Sequence, residues 1–417
     1  MGYSRREERK RREKLNLTKV IIVILILIIA IICIFKLIKK DKNKDNVIIK
    51  NDLGREYHTN EVIEDTNKVK TIDDYMSEYG AVLIQKVKPD TYYVSVDGID
   101  CTLYSNGELA DGEIPLWDGS SKEIKIEKNT QVININSASE LKWVADQVIS
   151  GERNFSNLTI LLNVNIDLGG RINEDGSLDG NKWNSIIGFL EQTEGSDEEN
   201  LKGFAGIFDG NNHWIRGLII DSDSKYQGLF GYLNGGTVRN LTIKNGYISG
   251  NQGVGAIIGL NNGKIENCKI INTTIKGKSE VGGFVGINMT NSTVDRCVFE
   301  NNDSTVSGDD NVGGIVGYLN NNSNVENSEN RANVFGKNYV GGIVGISFYG
   351  TNITNTYCID ASVKGEDYVG GIAGYSQSLI EKCFNSSSIS GRKYVGGISG
   401  LNYEMGNISL TYNSRKC

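Results

Sequence analysis

Histidine occurs only twice in the 417 residues, at His58 and His213. His58 is followed by Thr59 and His213 by Trp214, so neither begins the HExxH arrangement that holds zinc beside a water-activating glutamate. A Ser or Cys nucleophile that needs an imidazole base has the same two residues to draw on. His213, in FDGNNHWIRGL, reads as a structural turn or strand residue. Carboxylate-pair chemistry of the glycosidase or lyase kind needs no histidine, and Asp and Glu number 51. No spacing marks out a pair, so the sequence nominates no catalytic residue and calls for no cofactor. NEDGSLDGN, 173–181, offers Asp175 and Asp179 as weak metal ligands, but it lacks the alternating acids and terminal glutamate of a calcium loop. The acidic EQTEGSDEEN, 191–200, reads as a solvated loop. One aromatic set remains. Tyr339, Tyr368 and Tyr394 each stand immediately before Val-Gly-Gly. They read either as a self-stabilising aromatic ladder or as a stripe that contacts sugar or peptide.

Those tyrosines are positioned by a repeat. A six-residue box recurs as YQGLFG at Tyr226, VGAIIG at Val254, VGGFVG at Val281, VGGIVG at Val312 and Val340, VGGIAG at Val369 and VGGISG at Val395. The spacings are 28, 27, 31, 28, 29 and 26 residues, and the sixth place is glycine in all seven copies. Each box is followed by a short apolar block, such as TVRNL or KIENC, and most copies close on a β-branched residue and glycine. Short β-branched segments at this period, bounded by Gly, Asn and Ser, predict about three strands per coil of a parallel β-helix. Successive coils lie about 4.8 Å apart, so each box residue must stack on its own counterpart. Asn240, Asn267, Asn327 and Asn355 recur at one place and predict a ladder of side-chain amides. Proline occurs only at Pro89 and Pro115, which leaves the repeats with every backbone N–H.

Ahead of the repeats, NSASELKWVADQVISGE carries a capping box from Ser137 to Glu140. Leu141, Val144, Ala145 and Val148 form one apolar face, and Gly151 is a stop. This predicts an amphipathic helix within 131–155 that covers the first coil of a β-helix running over 156–417. Residues 71–130 alternate in short runs and predict a small β-rich module, and 39–70 read as a polar stalk. Val20–Phe35 is an unbroken apolar run of sixteen. Extended to Ile38, it spans about 28 Å as a helix, enough for a bilayer core. No small-residue cleavage site follows, so 20–38 reads as an uncleaved signal anchor behind a basic tail, 1–19. Eight Lys/Arg precede the run and six follow it up to residue 50, which places the N-terminus in the cytoplasm and the body outside.

The charge is divided. Residues 1–44 hold 13 Lys/Arg against 4 Asp/Glu, a net of +9; the remaining 31 and 47 give −16. An acidic body excludes nucleic-acid binding driven by phosphate neutralisation. The seven cysteines show no CxxC; Cys268, Cys297, Cys358 and Cys383 fall about one per repeat and read as buried free thiols. Cys268 and Cys297 take the same place in consecutive repeats, so a disulfide between them is the other reading.

The ordered series INSASELKWVADQVISGE, LLNVNIDLGG, WNSIIGF, FAGIFDGNNHWIRGLII and YQGLFGYLNGGTVRNLTI, followed by the VGGIVG boxes, resembles the GLUG-repeat family over about residues 132–417. Those repeats occur in bacterial surface proteins, in haemagglutinin-like adhesins and in the non-catalytic part of IgA1-specific metalloproteases. The resemblance implies a right-handed parallel β-helix on a cell surface, and it implies no fixed ligand. With the anchor, it points to a bacterial adhesin or envelope-binding protein that contacts glycan or a cell-surface protein. A polysaccharide-active hydrolase or lyase on the same fold is the alternative. The orientation has a direct check: protease added to intact cells should remove the body beyond residue 39. A body that survives until the membrane is broken would reverse the topology.

Overall fold

The structure, a computed structural model, describes residues 48–50, 56–58, 71–78, 82–88, 91–96, 99–104, 109–110 and 116–414 apart from 174, 193–198 and 301–302. The basic tail, the 20–38 segment and most of the 39–70 stretch lie outside the described residues. Among those described, no helix is long and apolar enough to cross a membrane. The chain divides into two compact units, Met1–Glu113 and Ile114–Cys417. The first contains a short helix, Ile72–Glu78, and a four-stranded antiparallel sheet of Val82–Lys88, Thr91–Val96, Ile99–Tyr104 and Leu109–Ala110.

The second unit is a parallel β-solenoid. Its longest path stacks ten rungs, from Val132–Ile135 to Asn407–Ser409. One column shows the rule. Ile133, Ile160, Phe208, Val238, Ile265, Val294, Val325, Ile353, Ile380 and Ile408 are successive register partners. The first nine are buried. A coil contains five short strands rather than three. For the coil that begins at Asn338 they are Asn338–Gly341, Val344–Ser347, Asn352–Thr354, Tyr357–Cys358 and Ser362–Lys364. The box supplies one of the two extra strands, and the block after it supplies the other by breaking at the left-handed Asn355 into Asn352–Thr354 and Tyr357–Cys358. The box is not one strand: it bends between Gly341 and Val344, and its halves pair in different sheets.

Each glycine of VGGIVG meets a different obstacle. A Cβ on Gly341 would collide with the carbonyl of Val344, just past the bend. A Cβ on Gly342 would collide with Cys358 Sγ, across the core, and with the carbonyl of Gly371 in the next coil. A Cβ on Gly345 would press on the Asn311–Val312 peptide of the preceding coil. The box therefore repeats because backbone passes within contact distance on three sides.

The corners are left-handed. Asn240, Asn267, Arg296, Asn327, Asn355, Lys382 and Leu410 occupy equivalent places with φ of 48–55°. Asparagine suits this region best after glycine. Asn267 Nδ2 donates to Asn240 Oδ1 at 2.8 Å and Asn355 Nδ2 to Asn327 Oδ1 at 2.6 Å. Where Arg296 interrupts the ladder, Asn327 turns to Asp295 Oδ1 at 2.8 Å.

The solenoid opens under the helix Ala138–Ser150. Ser137 Oγ accepts from Glu140 N, and Glu140 Oε2 accepts from Asn136 N at 2.8 Å. Gly151 closes the helix with φ of 80°. Leu141, Val144, Ala145 and Val148 join the apolar core. The stack starts one rung before the helix, because Val132–Ile135 pairs with Thr159–Leu162 and the helix bridges the two. Trp117 also lies in this core, 5.0 Å from the Trp183 ring. Of the 191–200 stretch, expected as a loop, 191–192 and 199–200 are described, and they lie in strands Phe189–Gln192 and Glu199–Lys202, which pair antiparallel.

The alignment of the first box shifts. Aligned on its letters, YQGLFG puts Tyr226 opposite Val254; the register instead puts Gln227 opposite Val254 and Phe230 opposite Ile258. The first box is one residue shorter than the rest, and Tyr226 takes the place before the valine column. A variant tests the packing. Val340→Asp puts an unpaired charge at a fully buried position, so native circular dichroism should be lost. Gly342→Ala should cost about 3 kcal/mol, the upper end for overpacking, because its obstacles include backbone. A Gly342→Ala protein with unchanged melting would refute this register.

Candidate functional site

The residue before the valine column is left-handed in every copy: Tyr226, Gly253, Glu280, Asn311, Tyr339, Tyr368 and Tyr394 have φ between 50° and 69°. A side chain there projects from a corner, where it meets its counterpart one coil away. Tyr339 and Tyr368 stack with centroids 4.8 Å apart and planes at 13°. Tyr368 and Tyr394 stack at 4.7 Å and 5°. The structure thus brings all three expected tyrosines into one ladder. Left-handed backbone costs about 1–2 kcal/mol for a residue with a Cβ. A stacked pair returns about 0.5–1.5 kcal/mol. Tyr368, with two stacked neighbours, can offset its own strain.

The ring faces are turned on each other, so ring edges and hydroxyls form the outer surface, except at Tyr394, which is 55% exposed. Packing pushes the Tyr368 hydroxyl above its ordinary pKa, and Tyr339, Tyr394 and Asp367 add to the effect. A second aromatic row lies alongside. Tyr375 meets Tyr339 edge-on at 6.0 Å and stacks with Tyr403 at 6.2 Å. Tyr318 packs on Phe348 at 5.2 Å. The second row escapes a reading of the box alone. Its signal is the alternation of Tyr318, Ile346, Tyr375 and Leu401 in register just beyond the sixth residue. Lys337–Asp309, at 2.8 Å, and Arg392–Asp367, at 3.1 Å, tie neighbouring coils beside the ladder.

The other candidates are dispersed. Asp175 accepts from Ser177 N and Oγ at 2.9 and 2.6 Å, and Asp179 accepts from Gly180 N. Both are exposed on the hairpin of Arg171–Ile172 and Leu178–Asp179. Among the described residues no group of three His, Cys, Asp or Glu could hold a metal ion. His213 Nδ1 lies 3.2 Å from Asn165 Oδ1 behind a left-handed Asn211–Asn212 turn, and burial lowers its pKa. His58 lies in the strand Glu56–His58.

Four acids are buried among the described residues, Glu140, Asp167, Asp209 and Asp295, and all are committed: Glu140 pairs with Lys122 and Asp295 with Arg296. Asp167 Oδ2 lies 3.1 Å from both Arg171 and Arg216, with Arg216 itself buried. Burial works against ionisation of Asp209, but hydrogen bonds from Asn240, the Asn211 backbone and Arg239 outweigh it and hold its carboxyl below the usual range. A general acid needs the opposite shift. Cys268, Cys297, Cys358 and Cys383 are free and buried. Burial and the neighbouring Cys268 thiol push Cys297 well up, which suits an inert thiol rather than a nucleophile.

No family model matches the chain. Over 83 residues it is 40% identical to halomucin of Haloquadratum walsbyi (strain DSM 16790 / HBSQ001), a match covering 19% of this chain and 1% of halomucin. The fold is similar to a crystal structure of a provisionally assigned immunoglobulin A1 protease from Bacteroides ovatus. That match is 19% identical with a TM-score of 0.45 and covers 68% of this chain and 84% of the other. A second similar structure, an IgA1 protease, is 16% identical with a TM-score of 0.41 and covers 79% of this chain and 24% of that one.

The ladder makes a prediction that separates packing from contact. Tyr368→Ala keeps the backbone strain and loses both stacks, so it should cost about 1–3 kcal/mol, while Tyr368→Phe should melt within a degree or two of wild type. An alanine variant as stable as wild type would show that the stacking contributes nothing.

Proposed function

We propose that the chain is a membrane-anchored, surface-displayed β-helix of the GLUG-repeat kind, wound right-handed, that works by binding rather than by catalysis. Its role is adhesion or contact with the cell envelope, with glycan or a cell-surface protein as partner. The observation that carries this reading is the pair of aromatic rows about the last coils. Tyr339, Tyr368 and Tyr394 stack at one corner and Tyr375 meets Tyr339 beside them, on a scaffold whose inner columns are filled. Exposed aromatic clusters of this kind mark contact surfaces. The ion pairs that hold the buried carboxylates among the described residues support binding over catalysis. The anchor at 20–38 supports display, because it joins a basic tail to an acidic body.

The test is a binding screen of the full-length protein against arrayed glycans and matrix proteins. Saturable binding to at least one of them is expected, and Tyr375→Ala with Tyr403→Ala should weaken it about tenfold or more, the loss of one hot-spot contact. Turnover of a bound polymer would favour the hydrolase or lyase reading instead. Binding unchanged by the double substitution would move the contact surface off this face.

A further inference from the structure

A column of charges precedes the tyrosine ladder by two residues on each coil. Asn251, Lys278, Asp309, Lys337, Glu366 and Arg392 stack in that order, each backbone N–H donating to the carbonyl of the residue before it at 2.6–2.8 Å. From Lys278 onward the sign alternates at every step. Lys278, Lys337, Glu366 and Arg392 are exposed and Asp309 is half-buried. Part of the alternation serves the chain itself, because Lys337 pairs with Asp309 at 2.8 Å and Arg392 with Asp367 of the neighbouring column at 3.1 Å. Lys278 and Glu366, opposite in sign, take no ion pair among the described residues. They stand three coils apart, about 14 Å at the usual strand spacing, with Asp309 and Lys337 between them, so they do not meet within one chain.

Such a ladder restricts what can lie against it, since like charges set directly opposite repel. A parallel copy would set every charge against itself. An antiparallel copy whose two-fold axis passes through a coil would also pair like with like, because residues equidistant from any member of an alternating column share its parity. A two-fold axis between coils inverts this, and every facing pair of charges then differs in sign. One such axis lies between Asp309 and Lys337, at the centre of the six-stranded sheet. It sets Asp309 opposite Lys337 and Lys278 opposite Glu366, so the two charges without an ion pair meet across the interface, twice by symmetry. Arg392 meets neutral Asn251. In the next column Ser279 meets Asp367, Asp310 meets Asn338 and Gln252 meets Lys393, again with no like charges together. At the corner, exposed Tyr394 comes opposite Gly253, which has no side chain.

We propose that this face pairs with a second copy of the chain, side by side and antiparallel, about that two-fold axis. The contact is isologous, so it closes at a dimer. It is ionic rather than apolar, so salt weakens it as the screening length falls from about 10 Å at 0.1 M to about 3 Å at 1 M. The second aromatic row, with Tyr375 and Tyr403, follows the ladder along each coil, whereas the charges precede it. The pairing therefore stands whether or not that row binds another molecule.

The test mixes isotope-labelled and unlabelled full-length protein in detergent and adds a carbodiimide, which condenses a touching amine and carboxylate to an amide. At low salt a Lys278–Glu366 amide that joins labelled to unlabelled chains is expected, and sedimentation should show a dimer; both should be lost at about 1 M salt. Glu366→Lys and Lys278→Glu each set like charges opposite and should weaken dimerisation about tenfold or more, with circular dichroism as the check on folding. Lys278→Glu combined with Glu366→Lys should restore the dimer. Should a reversal fail to fold, Glu366→Gln removes only the charge and should weaken dimerisation in the same direction. Tyr375→Ala with Tyr403→Ala should leave the dimer intact. A monomer at low salt, a dimer indifferent to the folded charge variants or not restored by the double swap, a mixed-isotope link at Lys337–Glu366 in place of Lys278–Glu366, or a dimer lost in the Tyr375/Tyr403 variant would each overturn the proposal.

Discussion

Every inward side chain of the solenoid rests on its own counterpart one coil away. That single constraint selects the sequence. A residue that fits must fit its copies above and below, so a solution found once is written again, as in the column from Ile133 to Ile380. Backbone hydrogen bonds between coils hold the spacing, and the spacing decides what side chains can do. Asparagines become ladders, tyrosines become stacks, and glycines mark the places where neighbouring backbone leaves no space.

Much of this was legible in the letters. The period, the box, the asparagine ladder and the capping helix follow from local rules, because each is written several times or carries its own caps. The number of strands per coil was not. VGGIVG looks like one apolar strand, and the bend after Gly341 arises from contacts across coils that no local pattern records. The register of the first box was hidden for a similar reason: Tyr226 matches the letters of the box better than Gln227, but the corner position accepts tyrosine and the ladder decides. The core amides were also invisible. Asn330 and Asn385 stand in register with Phe299 and Cys358 and are fully buried. Asn330 succeeds because it donates to the carbonyls of Ala332 and Gly342 and accepts from Ala332 N, so the apolar interior receives a satisfied polar group.

The candidate site divides along the same line. The spacing of Tyr339, Tyr368 and Tyr394 was readable because they share one place in the repeat. Their orientation was not, since a strip of exposed ring faces and a pile of stacked rings have the same spelling. The second aromatic row lies outside the box, in a column where tyrosine alternates with isoleucine and leucine, so repetition gave no warning of it.

The nearest-neighbour rule also shapes how such a chain comes to be folded. Each coil closes a loop of about 28 residues against the coil before it, and this length stays the same however many coils precede it. Loop-closure entropy therefore does not accumulate with array length, as it would in a sheet that pairs distant segments. The capped helix at Ala138–Ser150 is the most local element of the unit and lies between the first two rungs. It supplies a surface on which the first coil can form, and every later coil finds its template already built.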